Sequence, residues 1–307
     1  MRQGGRLVPW VLLALLPAFG EEAGETDYLR DLLGEAPFSI DRDGNGIPDA
    51  WSEIREPGFR AFPGSIAIED AMSLRLALDG RTVGLETRDA LPIQPDAAYR
   101  LEGRVRSRHL VSGVPEVEVR WLDGDRRLLP SAPLVLPAGE AWTPFRVEIP
   151  VVPPQARFAV VRLVARGREV DGRIWFDAVR LFRQPRFSVE GLPPGHLFDK
   201  AGPAALTLVL GGLDAGVYGL EGVLTDPDGN VRWHWEERVS LPQGLTRTGV
   251  DVPLPEAGYF RLHVTVSTGG KVLTTRETFL GMLPSLPPLP PGTGGGEGSE
   301  VGRLGVL

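Results

Sequence analysis

From about residue 64 to residue 280 the chain alternates apolar and polar side chains in short runs, and this period of two constrains the fold more than any other feature. Ser73-Leu74-Arg75-Leu76-Ala77-Leu78 alternates and ends on Asp79-Gly80, a hairpin signal. Tyr99–Arg106 and Val117–Trp121 alternate too, the latter running into Asp123-Gly124-Asp125. Further strands are predicted at Phe145–Ile149, Phe158–Ala165 and Ile174–Phe182, with Pro- or Gly-rich breaks between them. Many short strands with no helical period between them predict an all-β, antiparallel sandwich.

A second set follows Gln184-Pro185: Arg186–Glu190, Ala205–Leu210, Gly219–Thr225, Val231–Arg238, Thr246–Val252, Gly258–Ser267 and Lys271–Leu280. That count suits an immunoglobulin-like sandwich over 186–283, here without the Cys…Trp…Cys pattern. Only Thr26–Glu35 reads as helix, with Tyr28, Leu29, Leu32 and Leu33 at helical spacing. Residues 284–307 are a Pro-rich spacer passing into a Gly-rich one, which either ends the chain bare or leads into a further, catalytic domain.

Composition narrows the function classes. A net charge of −7 argues against a nucleic-acid partner, since phosphate binding needs a basic footprint. Having no cysteine, the chain makes no disulfide, thiolate metal site or cysteine nucleophile. Residues 1–20 read as a signal peptide: Arg2 and Arg6, the apolar run Leu7–Phe19, then Ala18-Phe19-Gly20 before Glu21. This predicts a secreted, periplasmic or cell-surface protein with no membrane span, because no later segment approaches the ~18–20 apolar residues a span needs. All but Lys200 and Lys271 of the 33 basic residues are arginine, a bias that GC-rich coding explains as well as selection for planar recognition of acidic groups.

Asp41-Arg-Asp-Gly-Asn-Gly-Ile-Pro-Asp49 is the most chemical-looking segment. Oxygen ligands from Asp41, Asp43, Asn45, the Ile47 carbonyl and Asp49 suit a hard cation such as Ca²⁺, and Gly44 and Gly46 permit the sharp bend. Position 12 holds Ser52 where an EF-hand needs Glu, so the expectation is a structural calcium loop, with a solvated turn as the alternative. The segment resembles the calcium motif of thrombospondin type 3 repeats, present once.

Four stretches in order, Asp49-Ala-Trp51, Tyr99–Arg106, Ala141–Pro150 and Gly172–Leu181, resemble the jelly-roll carbohydrate-binding modules appended to bacterial glycoside hydrolases. The resemblance implies a jelly roll over 27–184 and a polysaccharide or glycan partner. It also implies Asp177 as a further calcium ligand, although Ala178 replaces the family's second aspartate. Sugar recognition needs aromatic faces and planar polar groups, which makes Trp51, Phe59 and Phe62 candidate contacts. Trp121 reads as core from its alternation, and Trp142 and Trp175 sit at the family's usual core positions. Were the strands of Arg104 and Arg120 neighbours, those arginines would share a charged face suited to acidic glycans. The 186–283 segment is similar to immunoglobulin-like accessory domains between such modules and reads as a spacer.

Nothing reads as an enzyme. His109, His196, His234 and His263 are scattered, no Gly-x-Ser-x-Gly elbow appears, and Glu116/Glu118 and Glu236/Glu237 are carboxylate pairs by proximity only. The sequence therefore predicts a secreted, non-catalytic carbohydrate-binding protein with a structural calcium; the alternative is a cell-surface or adhesion protein whose sandwiches bind protein or act as spacers.

Overall fold

The computed structural model describes residues 30–34, 38–61, 64–69, 73–199, 202–254 and 257–284. The expected signal peptide at 1–20, the tail from 285 and Phe62 lie outside these residues. Apart from a single 3₁₀ turn at Pro194–His196, the regular structure described is all strand. No helix among the described residues is long and apolar enough to cross a membrane.

Four sheets form around two cores. Sheet I orders β10 (Thr143–Ile149), β7 (Ala98–Arg108), β12 (Val170–Gln184), β4 (Ser73–Asp79) and β3 (Ile66–Glu69), with β1 (Arg30–Asp31) also on β12. Sheet II orders β2 (Trp51–Glu53), β5 (Val83–Thr87), β11 (Phe158–Arg166), β8 (Val114–Leu122) and β9 (Leu134–Val135), with β6 (Leu91–Pro92) also on β11. Alternation decides what lies between them. Tyr99, Leu101 and Val105 point inward from sheet I, Val117, Val119, Trp121, Val161 and Leu163 from sheet II, and they pack as one core. Each such side chain contributes roughly 1.5–3 kcal/mol on leaving water.

Arg30–Asp31 corrects the helix expected over Thr26–Glu35: Arg30 and Asp31 pair with Arg183 and Phe182, and Leu32 N–H donates to the Leu181 carbonyl at 2.8 Å. The apolar spacing there suits a helix face equally, but an open edge on β12 supplies the hydrogen bonds a short isolated helix lacks.

In the rest of the chain, β13 (Arg186–Glu190), β15 (Pro203–Gly211) and β18 (Thr246–Pro253) form sheet III. Sheet IV orders β14 (Leu197–Phe198), β20 (Lys271–Met282), β19 (Gly258–Thr268), β16 (Gly216–Thr225) and β17 (Val231–Leu241). Leu208, Leu210, Leu220, Leu262, Val264 and Val266 lie in its separate core. Trp233 and Trp235 lean on that core with parallel rings 6.3 Å apart. The two cores meet where Gly211 and Gly212 press on the 94–97 turn. Gly212 N–H donates to Asp96 at 3.0 Å, and a Cβ on Gly211 would lie 2.4 Å from the Asp96 carbonyl oxygen. Arg183 closes the contact by donating to Asp214 at 2.7 Å.

Candidate functional site

The acidic loop sits where the sandwich is open, between β2 at the edge of sheet II and β3 at the edge of sheet I. Phe38 and Trp51 anchor it from below, their rings 5.4 Å apart. Asp49 N–H donates to the Ile40 carbonyl at 2.7 Å, and Gly46 lies against the Ile66 carbonyl of β3, where a Cβ would approach to 3.2 Å. Gly44 (φ 69°) and Gly46 (φ 81°) take left-handed conformations that let the chain fold back on itself.

The turn brings Asp41, Asp43 and Asp49 together, each offering a carboxylate oxygen within 4.8 Å of the others. Amide donors hold the first two: Gly46 N–H to Asp41 at 2.8 Å and Asn45 N–H to Asp43 at 3.1 Å. Against its partial desolvation, the Gly46 and Asn45 amides and the Asp43 side chain keep Asp41 below the ordinary aspartate range. Asn45 itself orders the turn, its amide oxygen accepting from Ile47 N–H at 2.7 Å. Three hard oxygen donors at this separation repel one another, with Arg42, 3.7 Å from Asp49, the one ion pair given to them among the described residues. A divalent cation fits such a donor set. Asp177 does not join it: its carboxylate accepts from Arg104 at 2.7 Å, opposite it on β7.

The candidate contacts are distributed differently from the expectation. Trp51 is 0 % exposed and belongs to the core, which corrects its assignment as a sugar platform. Removing such a side chain costs about 3–5 kcal/mol. Arg104 and Arg120 do not share a face, because β7 belongs to sheet I and β8 to sheet II; the 109–113 connection crosses from one sheet to the other, and the two arginines point out of opposite sides. Trp175 is buried, 6 % exposed, but like the half-buried Trp142 it lies outside the cluster between the two sheets. They sandwich Arg106 on the outside of sheet I at 4.8 and 4.6 Å, and Trp175 donates its indole N–H to Glu69 at 2.7 Å.

On the outside of sheet II the arginines are neutralised. Glu56, from the loop after β2, accepts from Arg162 at 2.6 and 3.0 Å and from Arg120 at 2.7 and 3.3 Å. Arg162, 4 % exposed, also pairs with Glu86 at 2.6 Å, and Arg120 with Glu118 at 3.0 Å. Arg162 and then Arg120 hold the Glu56 carboxyl down at about 2. This closed lattice pins the loop to the sheet.

A cleft of about 490 Å³ opens at one end of the same sandwich. It lies between the loop holding Gly58, Phe59 and Arg60, the β4–β5 turn with Gly80, Arg81 and Thr82, and the β11–β12 turn with Arg166, Gly167 and Arg168. Backbone bonds fix its walls: Arg60 N–H donates to Thr82 at 3.0 Å, and Gly80 N–H to Glu169 at 2.9 Å. Of the aromatic candidates, Phe59 reaches this cleft, its ring lying over Gly84, where a Cβ would come within 3.2 Å. Sequence reading missed these arginines; their signal is the pair Gly80-Arg81 and Gly167-Arg168 at two hairpins and Gly58-Phe59-Arg60 in the loop.

No protein-family model matches the chain, and no curated protein matches it. Among solved structures, the enzymatically active domain of tailspike protein 4 of bacteriophage CBA120 aligns at 16 % identity over 44 % of this chain and 19 % of that one, with a TM-score of 0.35. A Family 16 Carbohydrate Binding Module-2 aligns at 17 % over 38 % of this chain and 79 % of that one, TM-score 0.30. A glycosyl hydrolase family 2 member from Bacteroides cellulosilyticus aligns at 13 % over 65 % and 26 %, TM-score 0.28. The chain thus spans about a fifth of the tailspike domain and a quarter of the hydrolase.

Proposed function

We propose that this chain is a secreted, non-catalytic carbohydrate-binding protein: a jelly roll over 27–184 carrying a structural calcium in the 41–49 loop, with an immunoglobulin-like spacer over 186–283. One observation carries the reading. Three of the four stretches that resemble jelly-roll carbohydrate-binding modules, well separated in sequence, become β10, β7 and β12, hydrogen-bonded neighbours in that order in sheet I. The fourth, Asp49-Ala-Trp51, leads from the calcium-type loop into β2.

Calcium would be held by Asp41, Asp43 and Asp49, binding the loop across the edge where the two sheets end. The ion's chemistry there is charge neutralisation; this chain's residues supply the turn and the hydrogen bonds that aim the carboxylates. Support for a non-catalytic role comes from the carboxylates themselves. Glu116 pairs with Arg166 at 2.7 Å and Glu118 with Arg120 at 3.0 Å, so each of these carboxylates is tied to a guanidinium. The leader sequence in residues 1–20 is the basis for export.

A broad glycan array probed with the mature protein tests the function, alongside hydrolysis assays on dyed polysaccharides. Saturable binding to a defined glycan without product release is expected. Silence across the array from a folded protein would remove the reading in favour of a surface spacer.

A further inference from the structure

The four arginines of the end cleft stand out in a chain whose net charge is −7. They come from three segments far apart in sequence, so their convergence is a product of the fold. Arg166 is committed to Glu116 at 2.7 Å. Arg60, Arg81 and Arg168 make no side-chain hydrogen bond or ion pair among the described residues, and all three are exposed.

Of the neighbouring acids, Glu169 is engaged elsewhere and Asp79 stays out of the cleft lining. Glu169, next to Arg168, turns to the 110–113 loop, where one oxygen accepts from the N–H groups of Ser112 (2.6 Å) and Gly113 and from the Ser112 hydroxyl. Against its desolvation, these donors hold that carboxyl at about 2, so it stays ionised, one oxygen on the loop amides and the other buried beside Gly167. Asp79, on the other side of Gly80, does not line the cleft. Positive charge is therefore left unmatched in a concave site with fixed walls and one aromatic ring.

From this we infer that the cleft binds an acidic sugar unit of a polysaccharide, its carboxylate or sulfate received by the guanidinium forks of Arg60, Arg81 and Arg168 and its ring set beside Phe59. Guanidinium forks match the planar, multi-oxygen geometry of these anions, and an aromatic face suits the C–H side of a pyranose. The inference rests on the carbohydrate-binding reading and adds to it the ligand class and the place of binding.

Affinity electrophoresis of the full chain tests it, through gels containing polygalacturonate, dextran sulfate or unsubstituted dextran. Retardation by an acidic polymer beyond that by neutral dextran is expected, although the protein's own net charge opposes it. Retention by polygalacturonate alone assigns a carboxylate ligand, and by dextran sulfate alone a sulfate. The triple variant Arg60→Ala/Arg81→Ala/Arg168→Ala should lose about tenfold or more in affinity for the acidic polymer. Equal retardation by neutral and acidic polymers would overturn the cleft assignment and leave carbohydrate binding standing. Acidic binding that survives in the triple variant would overturn it too, as would no retardation in any gel, while the carbohydrate-binding reading falls separately, on silence across the glycan array. Should the triple variant fail to fold, the wild-type ordering of the polymers and the single Arg81→Glu variant decide the matter.

Discussion

The outside of sheet II and the end cleft draw on the same residue type and use it in opposite ways. On sheet II, Arg120 and Arg162 meet Glu56, Glu86 and Glu118 in a lattice where each guanidinium is neutralised. In the cleft, Arg60, Arg81 and Arg168 converge while Glu169 is held away on amide donors and Glu116 matches only Arg166. The number of arginines is thus a poor guide to a site; what distinguishes the two is whether acids are placed to answer them. The 41–49 loop is the cleft's negative counterpart, three carboxylates whose ion pair among the described residues is with exposed Arg42.

The largest expected effect breaks the closed side. Arg162→Ala leaves Glu56 and Glu86 without their shared partner and frees the loop after β2. It should destabilise by about 3 kcal/mol, with thermal unfolding as the readout, and because the freed loop carries Phe59 and Arg60, glycan binding should weaken along with stability. Loss of glycan binding with no loss of stability would exchange the roles assigned to the two regions.

Calcium comes next. Saturating Ca²⁺ at about 100 times its dissociation constant should stabilise by about 2.7 kcal/mol, which for a domain of the 27–184 size raises Tm by roughly 5–10 °C. Chelation should reverse the shift, and the double variant Asp41→Asn/Asp43→Asn should abolish it; a calcium-independent Tm would reduce the loop to a solvated turn.

Acid should act on the closed lattice in a defined direction. The folded-state value of Glu56, about 2, lies below its ordinary 4.5, so its contribution is complete above the ordinary value. That stability drains away as pH falls from about 5 toward 2, and Glu169 behaves alike. A melting curve against pH that stays flat across that window would mean the lattice contributes little.

The smallest effect concerns Arg104, whose pair with Asp177 is half exposed. Arg104→Ala should change stability by about 0.5 kcal/mol or less and leave acidic-glycan binding intact, as chemical denaturation and the gel assay would record.

Much of the fold was legible because long strands repeat their alternation often enough to be read. Arg186–Glu190 is β13 residue for residue, and the other expected strands fall inside longer ones. Short edge strands escape: β2 has three residues, too few to display a period, so nothing in the sequence marks Trp51, a candidate sugar contact, as core. Alternation also says which side of its strand a residue occupies and nothing about which sheet the strand joins, so it leaves open whether Arg104 and Arg120 are neighbours, and the sheet order separates them. The loop's carboxylates were readable because their ligand spacing is local. The cleft was not, since Arg60, Arg81 and Arg168 meet only after three connections are brought to one end of the sandwich.

The most direct test of the account is a calorimetric titration of the full chain with an acidic polysaccharide at low and high ionic strength, repeated on the Arg60/Arg81/Arg168 triple alanine variant. Unmatched guanidinium charge predicts binding that weakens as salt rises, and about a tenfold weaker, flatter response in the variant. Equal affinities for the two proteins across both salts would contradict it.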